Sequence, residues 1–274
     1  SGMEYQLFLP STWTAEGSVK YPVVIFLHGH GDGKFTVMNS QSLPRLLSKD
    51  QSTSFDDRRC WCLEPQFEDV AAMVEASPDD PRPFVDEEEH LHSPLADCDF
   101  ADTFEAIALM PQGWLPGSSS GWSRTRRKKV VDIAQHVIRK YRGDPTRVVL
   151  TGQSEGGSGA WNFAASDPHL WSAVNVICAP AHVDLEEQLD GLDVWVVGWT
   201  QDGLGGSDAD VRHLKRRTRG SVRYTRYLDA PAPPDPKYRG MAHHASYDLI
   251  YRDPRLWAWA FDKQNTNGAK AWAL

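Results

Sequence analysis

Arg147-Val148-Val149-Leu150-Thr151-Gly152-Gln153-Ser154-Glu155-Gly156-Gly157-Ser158-Gly159-Ala160 carries the chain from one kind of structure into another. Its first five residues are mostly apolar and β-branched, the pattern of a buried strand. Its last four are small and open a helix-like segment. Between them, Gly152-x-Ser154-x-Gly156 fits a sharp strand-to-helix turn that lifts a serine hydroxyl clear of the sheet edge. Gly152 and Gly156 belong where a side chain would collide with the neighbouring strand or helix. The pattern by itself is weak; its strand and helix flanks give it weight.

Working outward, the same alternation recurs. Tyr21–Leu27 is a continuous apolar run ending in His28-Gly29-His30-Gly31 and reads as a buried strand entering a loop. Ala106–Met110, Trp171–Ile177, Leu192–Val197 and Ser221–Leu228 read as further strands. Lys128–Tyr141 has Val130, Ile133, Ala134, Val137 and Ile138 at helical spacing, and Gly143-Asp144-Pro145 is expected to end that helix. Ser154–Ser166, Asp208–Arg217 and Pro254–Asp262 read as helices. Strands alternating with helices predict an α/β fold with a mainly parallel central sheet.

The 274 residues are read as one domain spanning 1–274. Hydrophobic content of 41%, with 11 Trp, is ample for a core. A net charge of −8 argues against a nucleic-acid partner. No apolar run reaches the roughly 20 residues of a membrane span. Ser1-Gly2-Met3 lacks a signal peptide's basic start and apolar centre, so a cytoplasmic location is expected; Ser1-Gly2 reads as an expression remnant, which leaves room for a removed leader. Of the four cysteines, Cys178 follows an apolar strand and reads as buried filler. Cys60, Cys62 and Cys98 are expected as thiols, with a bridge from Cys60 or Cys62 to Cys98 reserved for an oxidising compartment. Nothing in the chain bears on oligomeric state.

Residues 50–105 break the rhythm, with 17 Asp/Glu against three Arg and no Lys. The rest of the chain carries 20 acidic and 26 basic residues. So long a stretch without periodicity is a poor plain connector, and it is expected as an acidic excursion on the surface. It is either a solvated flap or a wall of the site. Its Asp86-Glu87-Glu88-Glu89-His90 run has contiguous carboxylates, the pattern of a solvated charge run, and no metal site is assigned.

A nucleophilic serine needs a base and an orienting acid, and after such a turn they follow in the order Ser, Asp/Glu, His. Asp202 lies directly after the strand ending at Val197, the expected place for the acid, with Asp208 in reserve. The base is one of the adjacent His243 and His244, which chain order does not separate. Two backbone N–H donors are needed for a developing oxyanion. One is expected from Glu155, after the serine, and the other from His30, in the glycine-rich loop after Tyr21–Leu27. His28 is expected to fix that loop by a hydrogen bond.

His28-Gly29-x-Gly31, Pro111-Gln112 with Trp122 downstream, Asp144-Pro145-x-Arg147-Val148, Gly152-x-Ser154-x-Gly156-Gly157 and His244-x-x-Tyr247-x-x-x-Tyr251 occur in one order. In this the chain resembles the α/β-hydrolase serine esterases of the feruloyl esterase, polyhydroxybutyrate depolymerase and esterase D-like group, from about Tyr5 to Asp262 with the acidic excursion set aside. The resemblance implies an α/β-hydrolase fold, and the position of the two tyrosines selects His244 over His243. It implies a serine carboxylic-ester hydrolase acting on a small-molecule ester through Ser154, His244 and Asp202, without metal or organic cofactor. Thioesterase, peptidase and ligand-binding versions of the same scaffold stay open. Trp122 is expected as a pocket wall or a core tryptophan, and Gln112 as a support for the oxyanion loop. Gln153, where that group has a hydrophobic residue, and Trp199, where it has His-Gly before the acid loop, are expected to alter the pocket.

Overall fold

Tyr21–Leu27 forms strand β2, and each of its seven residues is buried. Alternate side chains serve opposite faces of the sheet. Val23, Ile25 and Leu27 join a core with Val137, Trp161 and Trp272; Val24 and Phe26 join a second core with Tyr251 and Trp257. A strand covered on both faces reads as an unbroken apolar run, which is why its bounds were legible.

The computed structural model describes residues 3–30, 42–47, 97–113, 121–180, 185, 187–199, 202–204, 208–227, 240–245 and 247–272. Around β2 lie β1 (Tyr5–Phe8), β3 (Ile107–Pro111), β4 (Gly143–Gln153), β5 (Ala173–Ile177), β6 (Val194–Trp199) and β7 (Val222–Tyr227). They form a seven-stranded sheet in the order β1-β3-β2-β4-β5-β6-β7. Only β1 is antiparallel to its neighbour, pairing Tyr5 with Pro111 through Phe8 with Ala108. The described helices are α1 (Ser42–Leu47), α2 (Asp97–Thr103), α3 (Arg124–Tyr141), α4 (Glu155–Ser166), α5 (Asp208–Arg217), α6 (Ala242–Ala245), α7 (Tyr247–Arg252), α8 (Pro254–Asp262) and α9 (Gly268–Trp272). Residues from α3, α4 and α9 fill the first core, and residues from α1, α2, α7 and α8 fill the second. This is the expected α/β architecture: a mainly parallel sheet between two helical layers.

Some boundaries differ from expectation. Helix α3 begins at Arg124, four residues early, because the Ser123 side chain caps it by accepting from the Arg126 N–H. The same helix stops at Tyr141, just before Gly143-Asp144-Pro145 as expected, and those three residues open β4. There the pairing with β2 shifts register between Tyr21 and Val23, and the irregularity accommodates the proline. The end of the acidic stretch is also corrected. Residues 97–103 are α2, with Phe100 buried, and Phe104 packs edge-on against Phe8 and Trp257. Its last turn therefore belongs to the core, since two phenylalanines gain more from burial than a surface excursion permits. The rest of that stretch, with Cys60, Cys62 and the Asp86–His90 run, lies outside the described residues.

Candidate active site

The sheet order places the chain's change of direction between β2 and β4. From β2 the chain moves outward to β3; from β4 it moves the other way, to β5. Such a switch point leaves a crevice beyond the carboxyl ends of the two strands. Ser154 stands at the end of β4, with φ 52° and ψ −122°, a conformation that L-residues rarely adopt. Its N–H donates to the Ile177 carbonyl at 2.9 Å, tying the turn to β5. A Cβ on Gly152 would lie 2.1 Å from the Gly156 carbonyl oxygen, and one on Gly156 would lie 1.9 Å from that of Leu27. The expected collisions are therefore with backbone, which has no rotamer to change. Strain on the order of 1–3 kcal/mol at the serine is held by surrounding packing that allows no other path.

His244, on α6, lies with Nε2 2.9 Å from the Ser154 hydroxyl oxygen. Its Nδ1 lies 3.0 and 2.9 Å from the two Asp202 carboxylate oxygens. An ionised carboxylate only accepts, so this contact sets the proton on Nδ1 and leaves the Nε2 lone pair facing the serine. Asp202 follows β6, and its carboxylate is 1% exposed. The loop holds it through its own N–H to the Trp199 carbonyl, while a carboxylate oxygen accepts from the Leu204 N–H. Cys178 lies beneath. Burial, and then the charge of Asp202 and a hydrogen bond to it, push the thiol well above its ordinary range, so it stays protonated. The filler reading missed this contact, because nothing in the sequence brings residue 178 to residue 202. Tyr247 meets the His244 ring edge-on at 5.7 Å, and Tyr251 shares a 3.0 Å hydrogen bond with Thr151 of β4. His243 is half-buried, and its Nδ1 has no partner among the described residues.

The loop after β2 comes up beside the serine. A Cβ on Gly29 would lie 3.3 Å from Ser154 Cβ. His28 anchors the near end: Nδ1 contacts the Gly29 carbonyl at 2.8 Å, and Nε2 accepts from the Gly113 N–H at 2.9 Å. The Gln112 side-chain nitrogen lies 3.3 Å from that Nε2, and the Trp122 indole N–H donates to the His28 carbonyl. Burial holds the His28 pKa down, from an ordinary 6.5 to about 4. The ring is therefore neutral at pH 7 and can both donate at Nδ1 and accept at Nε2. The His30 ring contacts the Glu155 carboxylate at 2.8 Å.

The four residues expected around the pocket are all buried. Gln112 and Trp122 bond to His28, behind the loop. Trp122 also packs on Phe163 and lies so close to Gly159 that a Cβ there would come within 2.6 Å of it. The Gln153 side chain is fully buried and accepts from the Ser42 hydroxyl, while the Ser42 N–H donates to Asp248. Trp199 packs in the second core. Ser42 and Asp248 carried no sequence signal, since a lone serine and a lone aspartate mark nothing until the fold joins them.

No protein-family model and no curated protein matches the sequence. Solved structures do match in shape. A thermostable esterase superposes with a TM-score of 0.57 at 19% identity; the match covers 96% of this chain and 59% of that one. The chain thus spans about three-fifths of that esterase's length. Fluorophosphonate-binding serine hydrolase F of Staphylococcus aureus gives 0.53 at 12% identity, covering 95% of this chain and 99% of the other. An S-formylglutathione hydrolase from Agrobacterium tumefaciens gives 0.54 at 12%, covering 95% and 90%. Among the described residues no helix is long and apolar enough to cross a membrane. At these identities the likeness concerns shape: the chain has the α/β-hydrolase fold.

Proposed function

We propose that the protein hydrolyses small-molecule carboxylic esters through an acyl-enzyme on Ser154. One observation carries this reading: a strained serine, an imidazole and a buried carboxylate stand in a hydrogen-bonded row with steps of 2.9 Å at the crevice of the sheet. Ser154 Oγ attacks the ester carbonyl as His244 Nε2 takes its proton. Asp202 keeps the imidazole in the productive tautomer and stabilises the imidazolium. The tetrahedral oxyanion is held by two backbone N–H groups. Glu155 offers one, being the first residue of α4 and so free of an intrahelical acceptor. His30 offers the other, on the loop that His28, Gln112 and Trp122 hold from behind. His244 then gives its proton to the leaving alcohol. Water, deprotonated by the same nitrogen, attacks the acyl-enzyme and frees the acid and Ser154.

The test is covalent. A fluorophosphonate probe is expected to label the protein at a single serine, which peptide mapping should place at Ser154. Ser154→Ala is expected to abolish both labelling and hydrolysis of p-nitrophenyl acetate. Labelling at Ser158, or an unlabelled but folded protein, overturns the reading. Profiling acyl chain length and aromatic acyl esters then defines the acyl pocket.

A further inference from the structure

His30 and Glu155 bring their side chains together as well as their backbones. We propose that the His30–Glu155 side-chain pair is a latch that sets the spacing of the two oxyanion donors; the proposal rests on the ester-hydrolase reading above.

The two donors sit on different elements. Glu155 opens a helix that leaves directly from the central strand, and its backbone is fixed by the turn around Ser154. Residue 30 lies beyond the end of β2. The bonds to Gly113, Gln112 and Trp122 all fall on His28, two residues short of it. Gly29 has no side chain to bond. The 2.8 Å contact from His30 Nδ1 to Glu155 Oε2 joins the loop at residue 30 itself to the head of α4. Since each partner is also a proposed donor, the contact spans the gap that an oxyanion would occupy.

Charge sharpens the argument. A lone carboxylate beside a forming oxyanion opposes it, so a glutamate at this position is costly to the reaction unless its charge is engaged. His30 engages it directly, and the field of Glu155 also reaches Arg126 on α3, where it favours the charged guanidinium against the larger effect of burial. Exposure bounds the effect. The His30 side chain is 72% exposed and that of Glu155 33%, so the pair contributes as a surface contact does, through geometry more than through stability.

The experiment measures p-nitrophenyl acetate hydrolysis for His30→Ala, Glu155→Ala, the double variant and Glu155→Gln. Rates are expressed per site titrated with fluorophosphonate, so that misfolded protein does not count. The latch predicts that each alanine lowers kcat with KM within twofold: His30→Ala about three- to fivefold, the scale of an exposed pair, and Glu155→Ala somewhat less, since it also removes the opposing charge. It predicts that the double variant is no worse than either single, because the second change removes a contact already lost. Glu155→Gln keeps an acceptor oxygen and recovers at least half of the lost rate. Single variants with wild-type kcat, losses that multiply in the double variant, or losses confined to KM overturn the latch while leaving the hydrolase reading standing. A wild-type protein that neither hydrolyses the ester nor takes the label at Ser154 overturns both.

Discussion

His243 and His244 are neighbours in the chain and part company in the fold. On α6 their side chains diverge, and only His244 reaches both Ser154 and Asp202. The resemblance chose between them by the distance to Tyr247 and Tyr251, and the structure supplies a physical basis for that spacing. Tyr251 docks its hydroxyl on Thr151 of β4, three residues before Ser154, while Tyr247 meets the His244 ring. The tyrosines thus relate the histidine to the strand that carries the serine. Gln153 and Trp199 were less legible. Each departs from a familiar pattern beside a site, which invites a pocket reading, yet both side chains are buried. At this scale, His244→Ala is expected to lower kcat/KM by three orders of magnitude or more, because the members of such a row act as a unit. Asp202→Asn is expected to cost at least about a hundredfold, mainly in kcat, by spoiling the tautomer. His243→Ala stays within about fivefold. Steady-state kinetics on one ester, with each variant's fold checked by circular dichroism, decides it; a severe His243 variant beside a mild His244 variant reverses the assignment.

At the scale of elements, long apolar strands and amphipathic helices announced themselves, and short or edge elements did not. Tyr21–Leu27, Asp208–Arg217 and Pro254–Asp262 have the bounds that the pattern gives them. Strand β1 is four residues long at the sheet edge and has one buried side chain, too little for a period. Helix α1 contains Pro44 and is six residues long, so nothing local distinguishes it from a loop; Leu43, Leu46 and Leu47 are buried because the tertiary structure covers them. The turn between β4 and α4 was the clearest element of all, since its glycines are a steric requirement. Gly156→Ala would place a methyl 1.9 Å from the Leu27 carbonyl oxygen, forcing β2 and α4 apart. The cost should exceed the roughly 1–3 kcal/mol of ordinary overpacking. Gly198→Ala is the matched control, because its Cβ meets nothing within 4 Å. Urea midpoints should fall sharply for the first variant and stay near wild type for the second; equal midpoints would refute the steric account.

For the molecule as a whole, the buried neutral histidine at the root of the loop after β2 couples the candidate site to stability. His28 is 4% exposed, and desolvation by burial is the main cause of its lowered pKa of about 4, against an ordinary 6.5; the Gly29 hydrogen bond acts upward, and the charge of Arg126 acts downward. Above about pH 6.5 both the folded and the unfolded chain carry a neutral ring, and the full contribution of the group is present. As pH falls towards 4 the unfolded chain takes up a proton that the folded chain refuses, so stability is lost on the acid side. The difference amounts to about 3 kcal/mol once the folded ring also titrates. Carboxylates titrate over part of the same window, so the wild-type curve alone does not isolate the histidine. His28→Gln does, because its amide can accept from the Gly113 N–H but has no proton to gain. The variant is expected to be less stable than wild type at pH 7, where the imidazole's better fit counts. The gap should then narrow steadily from pH 6.5 down to 4, as only the wild type loses the histidine's contribution. Urea unfolding of both proteins at half-unit pH steps measures this, and a gap that stays constant across the window would mean that His28 does not differ in protonation between the folded and unfolded states.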